Sequence, residues 1–150
     1  MASIENTSGA IEDLIEINND RVAGFEKAIA DINDENIDLK HLFEEYAQQS
    51  RKNVQELSAI AGSAPHLEDD MSVSGTLHRA WIDVKALFGG SDRASILSEA
   101  ERGEDAIKKA YQDALNGSVP LQSAEIIRSQ AQGINAAHDK IKALRDVAKA

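Results

Sequence analysis

The sequence predicts an all-α protein, a four-helix bundle made of two antiparallel helical hairpins. Apolar residues recur every three to four positions along several long stretches, which is the spacing of helices with one buried face. Only two prolines and 4% aromatic residues occur, and residue types that favour helix are abundant. With 150 residues, 42% of them hydrophobic, we expect a single domain spanning residues 1–150 with its own core.

Composition and charge exclude several classes of protein. The 26 acidic and 16 basic residues give a net charge of −10, and the basic residues form no cluster, which argues against a nucleic-acid partner. The chain contains no cysteine, so disulfides, thiolate metal sites and thiol nucleophiles are excluded. Because the N-terminus lacks the pattern of a secretory signal and no apolar run approaches the roughly 20 residues of a membrane span, we expect a soluble, cytoplasmic protein.

The first predicted helix begins after a short polar segment, with Thr7 or Ser8 as its cap, and ends near Asn33. Two polar residues lie on or beside its apolar face. Asn18 falls between apolar positions of that face, and Glu26 lies next to it. We expect both side chains to point towards the core.

A second helix begins almost at once, capped by Asn33 or Asp34, and runs to Gly62. The short connection makes the first two helices antiparallel neighbours. The apolar face of this helix becomes polar around Gln49 and Asn53. This polar interval lies near the middle of the helix, opposite the polar positions of the first one.

Residues 62–90 form the crossover between the two hairpins. Residues 62–73 contain Gly, Pro, Ser and consecutive acids, which predicts an exposed loop. A short helix follows over about residues 74–88. At 1.5 Å per residue, its roughly 15 residues cover about 22 Å, which is enough to carry the chain back along a bundle.

The stretch Ser91–Gly117 predicts the next long helix, capped by Ser91 or Asp92 and ended by Asn116 and Gly117. It places three carboxylates within one turn, those of Glu101, Glu104 and Asp105. Glu104 interrupts the apolar face, so its carboxylate must be paired, hydrogen-bonded, protonated or bound to a metal ion.

The last helix begins at Pro120 and runs to the C-terminus, with Gln130 and His138 on its apolar face. The two hairpins then comprise residues 8–61 and 92–149. Four long helices joined by one long crossover have the connectivity of ferritin-like bundles.

The polar side chains that we expect inside the bundle come from every long helix: Asn18, Glu26, Gln49, Asn53, Glu101, Glu104, Gln130 and His138. The chain contains no Glu-x-x-His pair, of which a ferritin-like two-iron centre needs two. The residues Glu26, Glu104 and His138 could hold one divalent ion. The other interpretation is a structural network in which Glu104 and His138 are satisfied by each other and by Arg51, Arg79 or Arg102.

Four segments, residues 19–32, 74–90, 99–115 and 137–146, resemble a bacterial family of ferritin-like four-helix-bundle proteins of unknown function. The segment 99–115 contains the run Glu-Arg-Gly-Glu-Asp at residues 101–105. The resemblance implies a ferritin-like fold, a cytoplasmic location and a link to stress responses, with no established enzymatic activity or cofactor. It also indicates which residues matter, for structure first: Arg79, Trp81, Glu101, Arg102, Gly103, Glu104, Asp105 and His138.

Two functional hypotheses follow. The leading hypothesis is a non-enzymatic bundle without a cofactor that acts by association, either as a homo-oligomer or with another protein, in bacterial stress physiology. The alternative is a protein that binds Fe or Mn at Glu26, Glu104 and His138, with a redox or storage role.

Overall fold

The computed structural model describes residues 4–61, 92–117, 119 and 121–150. These residues are helical almost throughout and include no strand. The long helices are α1 (Ile4–Asp31), α2 (Ile37–Ala61), α3 (Arg93–Asn116) and α4 (Leu121–Lys149), and a 3₁₀ turn, Asp34–Asn36, precedes α2. The all-α prediction is confirmed, and the arrangement is compatible with a four-helix bundle. The predicted crossover, residues 62–90, lies outside the described residues.

Some of the predicted helix ends agree with the structure. Asp92 caps α3, because its side chain accepts a hydrogen bond from the backbone N–H of Ser95 at 3.2 Å, and Gly117 follows the last residue of α3, as predicted. The predicted start of α1 is wrong. Helix α1 begins at Ile4, so Thr7 and Ser8 lie within the helix and do not cap it.

The two sequential pairs, α1 with α2 and α3 with α4, form the largest interfaces, and α1 also packs on α3. Helices α2 and α3 begin at the same end of the bundle, since Arg93 donates hydrogen bonds to Asn36 at 2.9 Å and to Asp38 at 2.8 Å. Helix α1 is antiparallel to α2, and α4 is antiparallel to α3. Therefore α1 and α4 run in one direction and α2 and α3 in the other.

The core contains apolar side chains from all four helices. Phe25 of α1 packs against two rings of α2, with centroid distances of 4.8 Å to Phe43 and 5.9 Å to Tyr46. Branched aliphatic residues from α3 and α4, among them Leu97 and Ile134, are completely buried. Each large apolar side chain buried in this way contributes about 1.5–3 kcal/mol, so the core supplies most of the favourable free energy of folding. None of the described helices combines the length and the apolar content that crossing a bilayer requires.

An acidic turn on α1 contains a carboxyl group with an unusual pKa. Burial, followed by the neighbouring carboxylates of Glu16 and Glu12, raises the pKa of Asp13 to about 7. The folded protein therefore holds a proton on Asp13 that the unfolded chain releases above its ordinary pKa of 3.8. Between these two values, a rise in pH favours the unfolded state.

We expect Asp13→Asn to raise the free energy of unfolding by about 1 kcal/mol near pH 8, after allowance for the partial solvation of the group. The gain should shrink as the pH falls and disappear at about pH 3, below the ordinary pKa of 3.8, where both states of the wild-type protein mostly hold the proton. Urea unfolding followed by circular dichroism at the two pH values measures the difference. Glu44→Gln, an exposed substitution on α2, is the control and should change stability by less than about 0.5 kcal/mol at both pH values. An equal effect of Asp13→Asn at both pH values would contradict the prediction.

Candidate functional site

A buried ion pair between α1 and α3 lies at the centre of the polar interior. The side chains of Arg21 and Glu104 are both 0% exposed. Arg21 Nε donates to Glu104 Oε2 at 2.8 Å, and Arg21 Nη2 donates to Glu104 Oε1 at 2.6 Å. This two-bond geometry between a guanidinium and a carboxylate is the strongest that the two groups form, and it neutralises both charges away from water.

Helix α2 satisfies the other side of the guanidinium group. Arg21 Nη1 donates to Gln49 Oε1 at 2.7 Å, to Ser50 Oγ at 2.9 Å and to the backbone carbonyl of Tyr46 at 3.3 Å. The guanidinium carbon also lies 5.3 Å from the ring centroid of Phe25 and 5.4 Å from that of Tyr46. The cation is therefore surrounded by acceptors and aromatic faces that replace its hydration shell.

The amide of Asn18, one turn before Arg21 on α1, extends these contacts. Asn18 Nδ2 donates to the backbone carbonyl of Leu14 at 2.7 Å and to Tyr111 Oη at 2.8 Å. Asn18 Oδ1 accepts from Ser50 Oγ at 2.9 Å and from Asn53 Nδ2 at 3.2 Å. These four bonds use the full capacity of the amide, which explains how it is tolerated at 0% exposure.

Helix α4 contributes Gln130 to these hydrogen bonds. Tyr111 Oη donates to Gln130 Oε1 at 2.7 Å, and Gln130 Nε2 donates to Glu56 Oε1 at 2.9 Å. Burial raises the pKa of Tyr111, and burial followed by the nearby charge of Glu104 raises the pKa of Tyr46 to about 12. Both phenols are therefore protonated at neutral pH, and Tyr111 can act as the donor in this chain of bonds. We call this set the buried polar network; its side chains are Asn18, Arg21, Gln49, Ser50, Asn53, Glu56, Glu104, Tyr111 and Gln130.

Most of the polar residues expected inside the bundle lie there. Six of the eight are buried: Asn18, Asn53, Glu101, Glu104, Gln130 and His138. A seventh, Gln49, is half-buried. Glu26 differs: its side chain is 56% exposed and forms an ion pair with Arg51 on the surface. It follows Phe25, which is completely buried, and the rotation of about 100° per residue in a helix turns Glu26 away from the core.

The expected partners of Glu104 are also different. Arg51 binds Glu26, Arg102 is exposed, and Arg79 lies outside the described residues. The actual partner, Arg21, was not among the predicted residues. A usable signal exists in the sequence, because position 21 lies three residues after Asn18 and four before Phe25, on the face that points inward.

A second group of polar side chains lies between α3 and α4, and we call Glu101, Asp105 and His138 the His138 cluster. His138 Nε2 lies 2.6 Å from Asp105 Oδ1 and 3.6 Å from Glu101 Oε2. On the other side of the ring, His138 Nδ1 lies 3.2 Å from Asp139 Oδ1. The second oxygen of Glu101 accepts a hydrogen bond from Arg145 Nη1.

The predicted metal ligands Glu26, Glu104 and His138 do not form one site. Glu26 pairs with Arg51 on the surface, both oxygens of Glu104 bind Arg21, and His138 belongs to the His138 cluster. A two-iron centre does not fit the interior that the structure describes, because a guanidinium group engages the central carboxylate. The structure thus corrects the expected ligand set.

The other residues that the resemblance marks differ in their exposure to solvent. In the run of residues 101–105, Gly103 is buried beside Glu104, whereas Arg102 and Asp105 are exposed. Arg79 and Trp81, which the resemblance also marks, lie outside the described residues. The run therefore directs one carboxylate inward to α1 and two towards α4.

We expect Glu104→Ala to lower the free energy of unfolding by about 3–5 kcal/mol, because it leaves the guanidinium of Arg21 buried without a counter-charge. The double variant Arg21→Met/Glu104→Leu removes both charges and should recover most of this loss. Urea unfolding at neutral pH measures each variant.

The matched control for this experiment is Glu26→Ala, which removes an exposed carboxylate from a surface ion pair and should cost less than about 1 kcal/mol. A cost of Glu104→Ala as small as that of the control would show that the buried pair is not formed.

The described geometry can be compared with known proteins. No curated protein matches the chain. Residues 6–117, well over half of the sequence, match a family described as "Domain of unknown function (DUF2383)". The matched range covers α1 from residue 6 onwards, α2 and α3, and it contains both members of the buried ion pair, Arg21 and Glu104. Helix α4 begins after the matched range ends. The chain therefore belongs to the DUF2383 family, a domain of unknown function.

Proposed function

We propose that the protein is a single-domain, ferritin-like four-helix bundle without enzymatic activity that acts by self-association in the cytoplasm of a bacterium under stress. The directions of the helices support the ferritin-like topology, because α2 ends at the opposite end of the bundle from the start of α3. In ferritin-like folds, one long crossover connection joins helices that are related in this way. The resemblance of the sequence supports the cytoplasmic location and the link to stress.

The observation that carries the non-enzymatic role is the engagement of Arg21 with Glu104. In ferritin-like carboxylate proteins, inward-facing carboxylates bind metal ions that perform the chemistry. Here a guanidinium group supplies the positive charge, and the amide of Asn18 is fully hydrogen-bonded. A network satisfied by its own members rigidifies a core and specifies its packing. We infer that the buried polar network is structural and that the function lies at the surface.

Exposed apolar side chains near the ends of the bundle support self-association. Ile37 is 48% exposed at the start of α2, and Val147 is 74% exposed near the end of α4. Because α2 begins where α4 ends, both belong to the same end of the bundle. With a net charge of −10, two copies repel each other, so apolar contact at this end would supply the favourable free energy of association.

We expect the protein to sediment as a concentration-dependent oligomer over about a hundredfold range of concentration. The variant Ile37→Lys/Val147→Lys should shift the equilibrium to the monomer, since it replaces the apolar contact by like charges on both copies. Analytical ultracentrifugation at moderate ionic strength measures the change.

Leu121→Lys is the matched control, because Leu121 is 77% exposed at the opposite end of the bundle. This variant should associate as the wild type does. A wild-type protein that remains monomeric at every concentration would refute self-association, and an equal effect of the control would refute the proposed end.

A further inference from the structure

The His138 cluster brings three metal-binding atoms together on the interface between α3 and α4. Glu101 and Asp105 are one turn apart on the same face of α3, and His138 lies opposite them on α4. The ligand atoms of the three side chains all lie within 4.8 Å of one another. Ligand atoms about 2.0–2.2 Å from a common ion are about 3–4 Å apart, so the cluster needs only small side-chain shifts to hold one ion.

Neighbouring side chains orient two of the three ligands. Asp139 Oδ1 lies 3.2 Å from His138 Nδ1, and this carboxylate can accept the Nδ1 proton, which leaves the lone pair of Nε2 directed towards Asp105. Arg145 donates to Oε1 of Glu101, which leaves Oε2 facing the imidazole. These supporting contacts are the ones that carboxylate–histidine metal sites commonly contain.

The hydrogen-bonding capacity of His138 is smaller than the number of carboxylate oxygens around its ring. A neutral imidazole has one N–H group, yet both ring nitrogens face a carboxylate oxygen, at 2.6 Å and 3.2 Å. One N–H group can serve only one of these oxygens, and Glu101 Oε2 lies 3.6 Å from Nε2, beyond hydrogen-bonding distance. A cation between Nε2 and the two carboxylates would satisfy all three groups.

The charge and the donor types indicate the class of ion. Among the residues that the structure describes, the carboxylates of Glu101, Asp105 and Asp139 outnumber the one guanidinium group at the cluster, that of Arg145, which itself is shared with Asp146. One imidazole and two carboxylates suit Zn²⁺ and related transition metals, whereas Mg²⁺ and Ca²⁺ prefer oxygen ligands alone. Asp105 is 62% exposed, so the side towards solvent leaves room for water ligands and for entry of the ion.

We propose that Glu101, Asp105 and His138 form a binding site for one divalent transition-metal ion, with Zn²⁺ as the preferred ion. The site is separate from the buried polar network, and it goes beyond the proposed association function. A bound ion would join α3 to α4 near the end of the bundle that contains the C-terminus. Since it binds the folded state only, it would raise the stability of the whole chain with ion concentration.

Titration of the metal-free, full-length protein with Zn²⁺ by calorimetry tests the site, and Co²⁺ serves as a spectroscopic probe. We expect one Zn²⁺ to bind per chain and to raise the midpoint temperature of thermal unfolding. Bound Co²⁺ should show the visible absorption of an ion with a low coordination number. His138→Gln and Asp105→Asn should abolish binding. Asp139→Asn, which removes only the orienting carboxylate, should weaken it by about tenfold or more.

Two matched controls make the result specific. His41→Gln removes an exposed histidine of α2, and Asp113→Asn removes an exposed carboxylate two turns after Asp105 on α3. Both variants should bind Zn²⁺ as the wild type does. Because Asp105 is largely exposed, Asp105→Asn should fold normally even if His138→Gln does not.

Three outcomes would overturn the proposal: no binding of Zn²⁺ to the wild type, unchanged binding after Asp105→Asn, or loss of binding in His41→Gln. The first outcome would mean that hydrogen bonds among its own side chains hold the cluster together. None of these results depends on the oligomeric state, so the metal site and self-association can fail independently.

Discussion

The ion pair between Arg21 and Glu104 is the constraint on which the interior depends. A guanidinium and a carboxylate without water must obtain every hydrogen bond from the protein, since an unpaired buried charge costs several kcal/mol. This requirement explains why the core directs Gln49, Ser50 and the backbone carbonyl of Tyr46 to one point. Apolar residues of equal volume could make the protein as stable or more stable. We therefore infer that the pair contributes specificity more than stability, because it is satisfied in one arrangement of α1, α2 and α3 only.

The hydrogen bonds that follow from this pair fix the register of the fourth helix. Ser50 bonds both Arg21 and Asn18, and Asn18 passes the chain of bonds to Tyr111 of α3, which donates to Gln130 of α4. A slip of any helix by one turn, about 5.4 Å, would break several of these bonds at once. Apolar contacts alone would tolerate such a slip more easily, since Leu, Ile and Ala recur at the same spacing along each helix. The polar network therefore selects one packing among several that have similar apolar burial.

The periodicity of the sequence was sufficient to predict four long helices and most of their inward faces. It predicted the interior positions of Asn18 and Glu104 because each interrupts a regular apolar stripe. It failed for Glu26, which lies beside the stripe, where an error of one position changes the exposure completely. It also failed for Arg21, because a long charged side chain usually reaches solvent, and its burial depends on acceptors from two other helices. The meeting of His138 with Glu101 and Asp105 depends on the relative register of α3 and α4, about which the spacing within each helix contains no information.

One turn of α3 serves two interfaces, and this links the buried pair to the His138 cluster. In a helix with about 100° per residue, Glu101 and Asp105 are only about 40° apart, while Glu104 lies about 100° from Asp105. The first two therefore face α4 while Glu104 faces α1. Three carboxylates within one turn repel each other, and the two buried ones need a nearby positive charge. Arg21 and Arg145 neutralise Glu104 and Glu101, and Asp105, which is 62% exposed, lies 2.6 Å from the imidazole of His138. The His138 cluster and the central ion pair therefore share one turn of α3, and the position of that helix sets the geometry of both.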